Sequence, residues 1–315
     1  MKGVFRFGKD GSIVGSLVGV IILLLGFVFP LGILAVYSVW TYDPLLIITP
    51  NLTLENYIDL FTRPYSQAVF VRTLSLAVVA TVICLIIGYI VALYMRRAHP
   101  RERGFILIAL LTPVLLSDVV LGYAFLVLLG RQSGALSQLL NFLGFLDGPL
   151  NLIGTDGAVL IGLIYVGIGF MVINLYASLE SQGDAEERAA AILGAGRFQR
   201  FVKVTFPMSL PGALSGGLIT FAVTSSAFVI PQMLGAGKSV VMSVFIYDLN
   251  TYTLNWPLGA AGAMSLLAIT LCTSQVLVQL VSKRDPRRPR GPKRARATSN
   301  LVAITEPEGG VRVGR

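Results

Sequence analysis

Long apolar stretches separated by short polar segments make up most of the chain. Six apolar windows each reach about 20 residues or more, the length that a helix needs to cross the hydrocarbon core of a bilayer. They lie near 13–40, 70–95, 104–129, 157–179, 208–231 and 259–282. Because a helix satisfies its own backbone hydrogen bonds in lipid, the pattern predicts an all-α membrane protein with six transmembrane helices.

The segments between the windows predict shorter elements. Thr53 is a suitable N-cap for a short amphipathic helix within 41–69, and residues 131–156 are long enough for a short interfacial helix. Pro231, which two glycines follow, predicts a broken end to the fifth span. Close helix packing is expected at three glycines of the fourth span, Gly162, Gly167 and Gly169.

The composition supports a membrane location. Of the 315 residues, 55% are hydrophobic and 13% are charged, whereas an ordinary soluble domain has about 25% charged residues. Three basic residues precede the first window, as in a signal peptide. The charge-free run 11–42 is nevertheless longer than the apolar core of about 7–15 residues in a signal peptide. The first window is therefore predicted to be an uncleaved span.

The distribution of basic residues predicts the orientation. The segments 1–12, 96–103, 180–207 and 283–315 hold 21 of the 25 Lys and Arg residues, and the segments on the other side hold four. Because cytoplasmic loops carry the excess of positive charge, both termini are predicted to be cytoplasmic. The expected organisation is a short N-terminus (1–12), a six-span domain (13–282) and a basic, disordered tail (283–315).

The net charge of +9 does not indicate a nucleic-acid-binding protein. The tail holds ten basic and three acidic residues, which leaves a net charge of only +2 on residues 1–282. No basic surface is spread over a folded domain, so nucleic acid is not expected as a partner. The tail is expected to lie near anionic membrane lipid.

The loop 180–207 carries the clearest functional pattern. Two glutamates suit the first turn of a helix, an alanine-rich run favours its continuation, and Gly194 suits the left-handed residue that ends it. A second short helix is expected over 198–204. Two such helices around a glycine turn suit either docking to a partner or a passive interfacial loop. The candidate docking residues are Glu186, Glu187, Arg188, Ala189, Ala190, Gly194 and Pro207.

This loop resembles the cytoplasmic signature of binding-protein-dependent ABC importer permeases, which consists of Glu-Ala-Ala, a spaced glycine and an Ile-x-Leu-Pro-like end. Here Arg188-Ala189-Ala190 leads to Gly194, and Val204-Thr205-Phe206-Pro207 forms the end. Arg188 stands where the signature has glutamate, and Glu187 precedes it. Docking is therefore expected to depend on the shape around Gly194 more than on that carboxylate.

Other segments resemble the spermidine/putrescine type of these permeases. They are Leu54–Tyr57, Gly169–Glu180 and Asn255–Ala261, and the resemblance covers roughly 50–282. It implies the type I importer fold in the bacterial inner membrane and the import of a small solute, a polyamine or a similar compound. The implied partners are a second permease subunit, a dimer of ATP-binding subunits that docks on the loop, and a periplasmic binding protein that delivers the solute.

ATP chemistry is expected in the separate ATP-binding subunit, because the sequence contains no GxxxxGK[ST] loop. No enzyme activity and no cofactor are therefore expected of this chain. A metal site is not expected either, because Cys84 and Cys272 lie in separate apolar runs without ligand spacing.

Asp118 is the acidic residue well inside an apolar window. It lies 14 residues after Gly104, about 21 Å along a helix, and so beyond the membrane midplane. A carboxylate at such a depth indicates a functional site, here for a cationic solute or a gate. The alternative is a hydrogen-bonded residue that faces a partner helix. Weaker candidates for the translocation pathway are the hydroxyl residues Ser117, Thr224, Ser225 and Ser226.

Two other classes of protein are alternatives. In a secondary ion-coupled transporter Asp118 would be the coupling site, although one acid is sparse for a proton relay and no paired broken spans are evident. A membrane enzyme would need a cluster of His, Asp or Ser at catalytic spacing, which the sequence lacks.

Overall fold

The computed structural model describes residues 19–130, 134–144, 152–181 and 185–282. The predicted N-terminal segment 1–12 and tail 283–315 lie outside the described residues, as do residues 182–184 of the predicted docking loop. Within these ranges the regular elements are helices and one two-stranded antiparallel hairpin.

The elements are numbered in chain order. The long helices are α1 (Gly19–Ser38), α3 (Pro64–Arg97), α7 (Asp156–Ser181), α9 (Arg197–Ser226) and α12 (Trp256–Ser282). Two helices of intermediate length, α4 (Pro100–Leu115) and α5 (Asp118–Leu129), form a bent pair. The short elements are β1 (Trp40–Asp43), β2 (Ile47–Leu52), α2 (Glu55–Thr62), α6 (Ala135–Phe142), α8 (Ala185–Ile192), α10 (Val229–Gly235) and α11 (Met242–Thr251).

In the described part of the chain, five helices are individually long and apolar enough to cross a bilayer, and the bent pair raises the number to six. The six-span, all-α prediction is confirmed, but the continuous helix predicted over 104–129 is wrong. α4 and α5 meet at an angle of 106°. Leu116 and Ser117 have extended backbone at the bend. Pro113 weakens the last turn of α4 because it removes a backbone donor.

The centre of the bundle is α7, which packs along α3 and α9. Close approach is possible because glycines of α7 face their neighbours. A Cβ at Gly167 would lie 2.8 Å from a side-chain atom of Thr220, and a Cβ at Gly169 would collide with the carbonyl oxygen of Leu110. Gly162 lies against Ile230 in the same way. The predicted close packing of the fourth span is confirmed.

The first span lies at the edge of the bundle. α1 packs on α12, and its apolar side chains from Val20 to Phe29 are exposed. Asn56 ties α2 to the end of α1, because its side-chain amide donates to the carbonyls of Ser38 (3.0 Å) and Trp40 (2.8 Å). The first span is therefore held mainly at the end of the molecule that carries the β-hairpin, which is called the hairpin end below.

The sequence predicted some of the short elements at the hairpin end but not others. Thr53 was predicted as the N-cap of α2, but the N-cap is Leu54, and the Thr53 hydroxyl one residue earlier accepts from the Glu55 N–H (3.1 Å). The short helix expected within 131–156 is α6. The β1–β2 hairpin and α11 were not predicted. α11 is held from the side by Thr73 of α3, whose hydroxyl accepts from the Met242 N–H at 2.8 Å.

The fifth span differs from its predicted range, 208–231, at both ends. α9 begins at Arg197, so the separate helix predicted over 198–204 is the first part of the span, which corrects that prediction. A π-helical turn, Phe201–Thr205, precedes Pro207 and accommodates the missing backbone donor. At the other end α9 stops at Ser226 and α10 starts at Val229. The predicted break exists, but it lies before Pro231.

Candidate functional site

One end of the bundle, the basic end, carries Arg96 and Arg97 at the end of α3 together with the segment 185–200. Here α8 ends in a Schellman turn. The Ala195 N–H donates to the Ala190 carbonyl, and the Gly194 N–H donates to the Ala191 carbonyl, both at 3.0 Å. Gly194 has a φ of +82°, so the predicted glycine turn is confirmed.

Large apolar side chains project from this turn. Ile192 and Leu193 are each 87% exposed, and Phe198 is 79% exposed. Sequence reasoning missed these three residues as candidates. The available signal was their position beside Gly194 within a polar segment. An apolar projection of this kind has the character of a docking surface, because burying it would remove apolar area from water.

The predicted docking residues face different directions around α8. Glu186, Arg188 and Ala189 are exposed, and Ala190 is half-buried. Glu187 faces the bundle, where its carboxylate lies 3.4 Å from Arg96 Nη1 and 3.5 Å from Arg97 Nη2. Glu187 therefore tethers α8 to the end of α3, and its carboxylate is turned away from the exposed face.

The start of α9 is fastened to α3 by aromatic packing. The ring of Tyr89 lies 5.9 Å from the ring of Phe201 and 5.7 Å from that of Phe206. The hydroxyls of Tyr89 and Ser209 form a buried hydrogen bond of 2.8 Å. Pro207 is half-buried beside this cluster. A displacement of α8 and the start of α9 would therefore be transmitted to α3.

A cavity of about 360 Å³ lies where the two helix breaks face each other. The bend between α4 and α5 supplies Asp118, and the break between α9 and α10 supplies Ser226 and Phe228. Most of the remaining lining is apolar, from α7 and the neighbouring helix ends. Non-helical backbone inside a bilayer is tolerated where it lines a cavity or is buried in protein. The carbonyl freed at Ala227 accepts a hydrogen bond from the Ser243 hydroxyl of α11 at 2.6 Å.

The structure separates the five residues predicted for the pathway. Asp118 lines the cavity as the first residue of α5. Ser117 is the N-cap of α5, where its hydroxyl accepts from the Val119 N–H. Thr224 and Ser225 are buried and donate to carbonyls of their own helix, at 2.8 and 3.1 Å. Sequence reasoning ranked Ser226 among the weaker candidates, yet its side chain lines the cavity.

A row of aromatic rings continues from this cavity along α11. The Phe228 ring lies 5.0 Å from the Tyr247 ring, which lies 6.2 Å from the Tyr252 ring. Asp248 follows Tyr247 in the chain, and burial raises the pKa of its carboxyl. Aromatic faces and carboxylates both attract cations. Sequence reasoning missed this row because it assigned no helix to 242–251.

These features define a polytopic helical membrane protein with exposed apolar side chains around a glycine turn at one end and a cavity between two broken helices. The family model described as the inner membrane component of binding-protein-dependent transport systems matches residues 85–285. The chain belongs to this family. It is therefore a component of a transport system in the inner membrane.

Individual relatives agree with the family assignment. The spermidine/putrescine transport system permease protein PotB of Haemophilus influenzae is 34% identical over 218 residues, which cover 69% of this chain and 76% of that protein. The inner membrane ABC transporter permease protein YdcU of Escherichia coli is 30% identical over 264 residues, which cover 77% of this chain and 83% of that protein.

The fold is shared with a solved transporter. A chain of a bacterial alginate ABC transporter, crystallised with an alginate pentasaccharide-bound periplasmic protein, matches 88% of this chain and 96% of its own length with a TM-score of 0.73. Its sequence identity is 17%, so this match concerns the fold alone.

Proposed function

We propose that the chain is the permease subunit of an ATP-driven importer that moves a polyamine, or a similar small cation, into the cytoplasm. The observation that carries this proposal is the Asp118 carboxylate in the cavity between two broken helices, in a chain that is 34% identical to a spermidine/putrescine permease. The solute would be delivered by a periplasmic binding protein. A second permease subunit and a dimer of ATP-binding subunits would complete the complex.

The basic end is assigned to the cytoplasm in this proposal, together with both termini. Support comes from the excess of basic residues in the segments on that side. The hairpin end then faces the periplasm and the binding protein. The six-span domain 13–282 forms the permease body, and residues 180–207 supply the docking loop.

The docking surface consists of α8, its Gly194 turn and the exposed Ile192, Leu193 and Phe198. An ATP-binding subunit would bury these side chains in a cleft. The α8 tether through Glu187 and the aromatic contacts of α9 would then carry a movement of the subunits into α3 and α9. Such a movement acts on the break between α9 and α10, and so on the cavity beside it. Transport follows if ATP shifts the balance between two arrangements of these helices.

The cavity suits a flexible cation with apolar segments. Asp118 supplies a negative charge, Ser226 and the helix breaks supply hydrogen-bonding groups, and the remaining walls contact methylene groups. Polyamines combine ammonium groups with methylene chains. The ammonium groups would therefore contact the charged and polar groups of the cavity, and the methylene chains would contact its apolar walls. The ring of Phe228 adds a face that attracts cations.

The proposal is tested by uptake in proteoliposomes that contain the chain assembled with its partner subunits and supplied with its binding protein. Labelled spermidine is expected to accumulate only with ATP present in the compartment that the ATP-binding subunits face. A proton or sodium gradient without ATP is expected to drive no uptake. Gradient-driven uptake that persists after ATP depletion would instead establish the ion-coupled alternative.

Replacing Asp118 with asparagine is expected to lower polyamine uptake about ten- to a hundredfold. A hydrogen bond to a charged group contributes about 1.5–3 kcal/mol, and 1.4 kcal/mol corresponds to tenfold. The measurement is the initial uptake rate at several solute concentrations. Ser226→Ala is the matched control, because Ser226 lines the same cavity without a charge, and its effect should be smaller. If Asp118→Asn took up the solute at the wild-type rate, Asp118 would not be part of the translocation pathway.

A further inference from the structure

Each end of the docking loop lies beside a helix that leads to the cavity. At the C-terminal end of the loop, α9 leads to the break before Phe228. At the N-terminal end, Glu180 lies in the last turn of α7 and contacts the start of α4. α4 in turn leads to the bend that precedes Asp118. The contact between Glu180 and α4 therefore concerns the wall of the cavity that carries Asp118.

Three side chains form this contact. Arg103 of α4 donates from Nη1 to the hydroxyl of Tyr176 at 2.6 Å, and the same Nη1 atom lies 3.5 Å from Oε1 of Glu180. Residues four apart on a helix lie on the same face, so one guanidinium group reaches both side chains of α7. Arg103, Tyr176 and Glu180 together are called the Arg103 clamp. The clamp attaches the start of α4 to the end of α7.

The start of α4 is also attached to α3, but at a more exposed position. The Tyr94 hydroxyl of α3 donates to a carboxylate oxygen of Glu102 at 2.9 Å. This bond is exposed, whereas the bond from Arg103 to Tyr176 is partly buried. Water and salt weaken exposed polar contacts more than partly buried ones. The Arg103 clamp is therefore the stronger of the two attachments.

α4 remains in contact with α7 further along its length. Leu110 of α4 and Val172 of α7 belong to one buried cluster, and the ring of Tyr176 packs against it. A Cβ at Gly169 would collide with the carbonyl oxygen of Leu110. Attachment at both Arg103 and Leu110 opposes any rotation of α4 away from α7. α4 and the C-terminal half of α7 therefore form one body.

α5 belongs to a different set of contacts, although it follows α4 directly. It packs mainly on α10, where a Cβ at Gly122 would collide with the sulfur of Met233. The bend at Leu116–Ser117 thus joins a helix that is attached to the end of α7 to a helix that is attached to α10. A displacement of α4 would change the angle of the bend and move the Asp118 wall of the cavity.

We propose that Arg103 is a positioning residue for transport, because the Arg103 clamp makes α4 and the Asp118 wall of the cavity follow the N-terminal end of the docking loop. This inference rests on the proposed function, since it needs ATP-binding subunits that move the loop. The C-terminal end of the loop acts on the opposite wall through α9. With the clamp intact, one movement of the subunits acts on both walls of the cavity together.

Hydrogen exchange tests the two walls separately. The complete complex in nanodiscs is exchanged with and without a non-hydrolysable ATP analogue, and mass spectrometry follows the amides of the bend (115–119) and of the break (226–229). In wild type both segments are expected to respond to the nucleotide. In Arg103→Gln the break should respond as in wild type. The response of the bend should fall about three- to tenfold, because a charge-assisted hydrogen bond at a partly exposed site is lost.

The uptake of spermidine per ATP hydrolysed provides a second measurement. This ratio is expected to fall about three- to tenfold in Arg103→Gln, because ATP would then act on one wall of the cavity only. A general loss of folded complex would lower uptake and hydrolysis together and leave the ratio unchanged. Tyr176→Phe keeps the ion pair to Glu180 and removes the hydroxyl, so its effect should be smaller.

A matched control and a rescue variant accompany the test. Arg101→Gln removes an exposed arginine two residues earlier on α4 that is not part of the clamp, and it should behave as wild type. The double variant Arg103→Glu with Glu180→Arg restores the ion pair in the reverse direction. It should recover part of the response that Arg103→Glu alone loses. A melting curve shows that each variant is folded.

Two results would overturn the proposal. One is a full response of the bend in Arg103→Gln. The other is an equal loss of response at the bend and at the break with a lower melting temperature, which would show that the clamp only stabilises the bundle. A wild-type complex that responds to the nucleotide but takes up no spermidine would contradict the proposed solute. In that case the exchange at the bend still decides the role of Arg103.

Discussion

Gly194→Val is expected to reduce ATP-driven uptake by tenfold or more while the transmembrane bundle stays folded. Gly194 has a φ of +82°, a left-handed conformation that is particularly strained for a β-branched residue. The strain costs on the order of 1–3 kcal/mol. The strain is relieved only if the Schellman turn opens, and this opening would displace Ile192 and Leu193 from the docking surface. The variant would therefore dock its ATP-binding subunits poorly.

The measurement compares co-purification of the ATP-binding subunits and solute-stimulated ATP hydrolysis in variant and wild-type complexes. Gly196→Ala is the matched control. Gly196 lies two residues away, has a φ of −64°, and a Cβ there meets nothing within 4 Å. It should behave as wild type. If Gly194→Val keeps full stimulated hydrolysis and uptake, the turn is not part of the coupling interface.

The second large effect is expected from Gly169→Ala in the centre of the bundle. A Cβ at this position would lie closer than 3.0 Å to the carbonyl oxygen of Leu110, a backbone atom that no rotamer change can move. α4 would have to separate from α7, and overpacking of this kind costs about 1–3 kcal/mol. Because α4 leads into the bend at Asp118, the cavity should also change shape. A lower melting temperature of the purified permease and a weaker response to solute are expected.

Gly104→Ala provides the control on α4 itself. A Cβ at Gly104 meets nothing within 4 Å, and alanine favours a helix over glycine by about 1 kcal/mol. The control is therefore expected to melt at or above the wild-type temperature. Equal melting temperatures for Gly169→Ala and Gly104→Ala would contradict the close contact between α4 and α7.

The sequence signals that mark helix ends gave a correct prediction at Gly194 and a wrong one for the helix over 198–204. Gly194 was predicted as a left-handed turn residue, because the preceding run favours a helix and glycine is the usual residue after its end. The helix predicted over 198–204 was instead the start of the fifth span. A π-helical turn absorbs the backbone donor that Pro207 lacks, so the helix continues into the span. A local rule of helix termination cannot anticipate such an adjustment.

Asp118 illustrates how the site depended on the fold. Its position was estimated along a straight helix from Gly104, but the helix bends by 106° immediately before it. The bend converts an intramembrane carboxylate on a helix face into the first residue of a new helix at a cavity. Ser226 and Phe228 reach the same cavity from a second break, more than 100 residues further along the chain. No local pattern connects these three residues.

The sequence by itself determined the features that depend on local chemistry. Apolar length specifies the number of spans, because lipid admits only helices of sufficient length, and glycine and proline mark most turns. The tertiary structure alone decided the bend at Leu116–Ser117, the packing of α11 against α3 and the meeting of the two helix breaks at one cavity. These features arise from contacts between segments distant in sequence, whose energies a single window of residues does not contain.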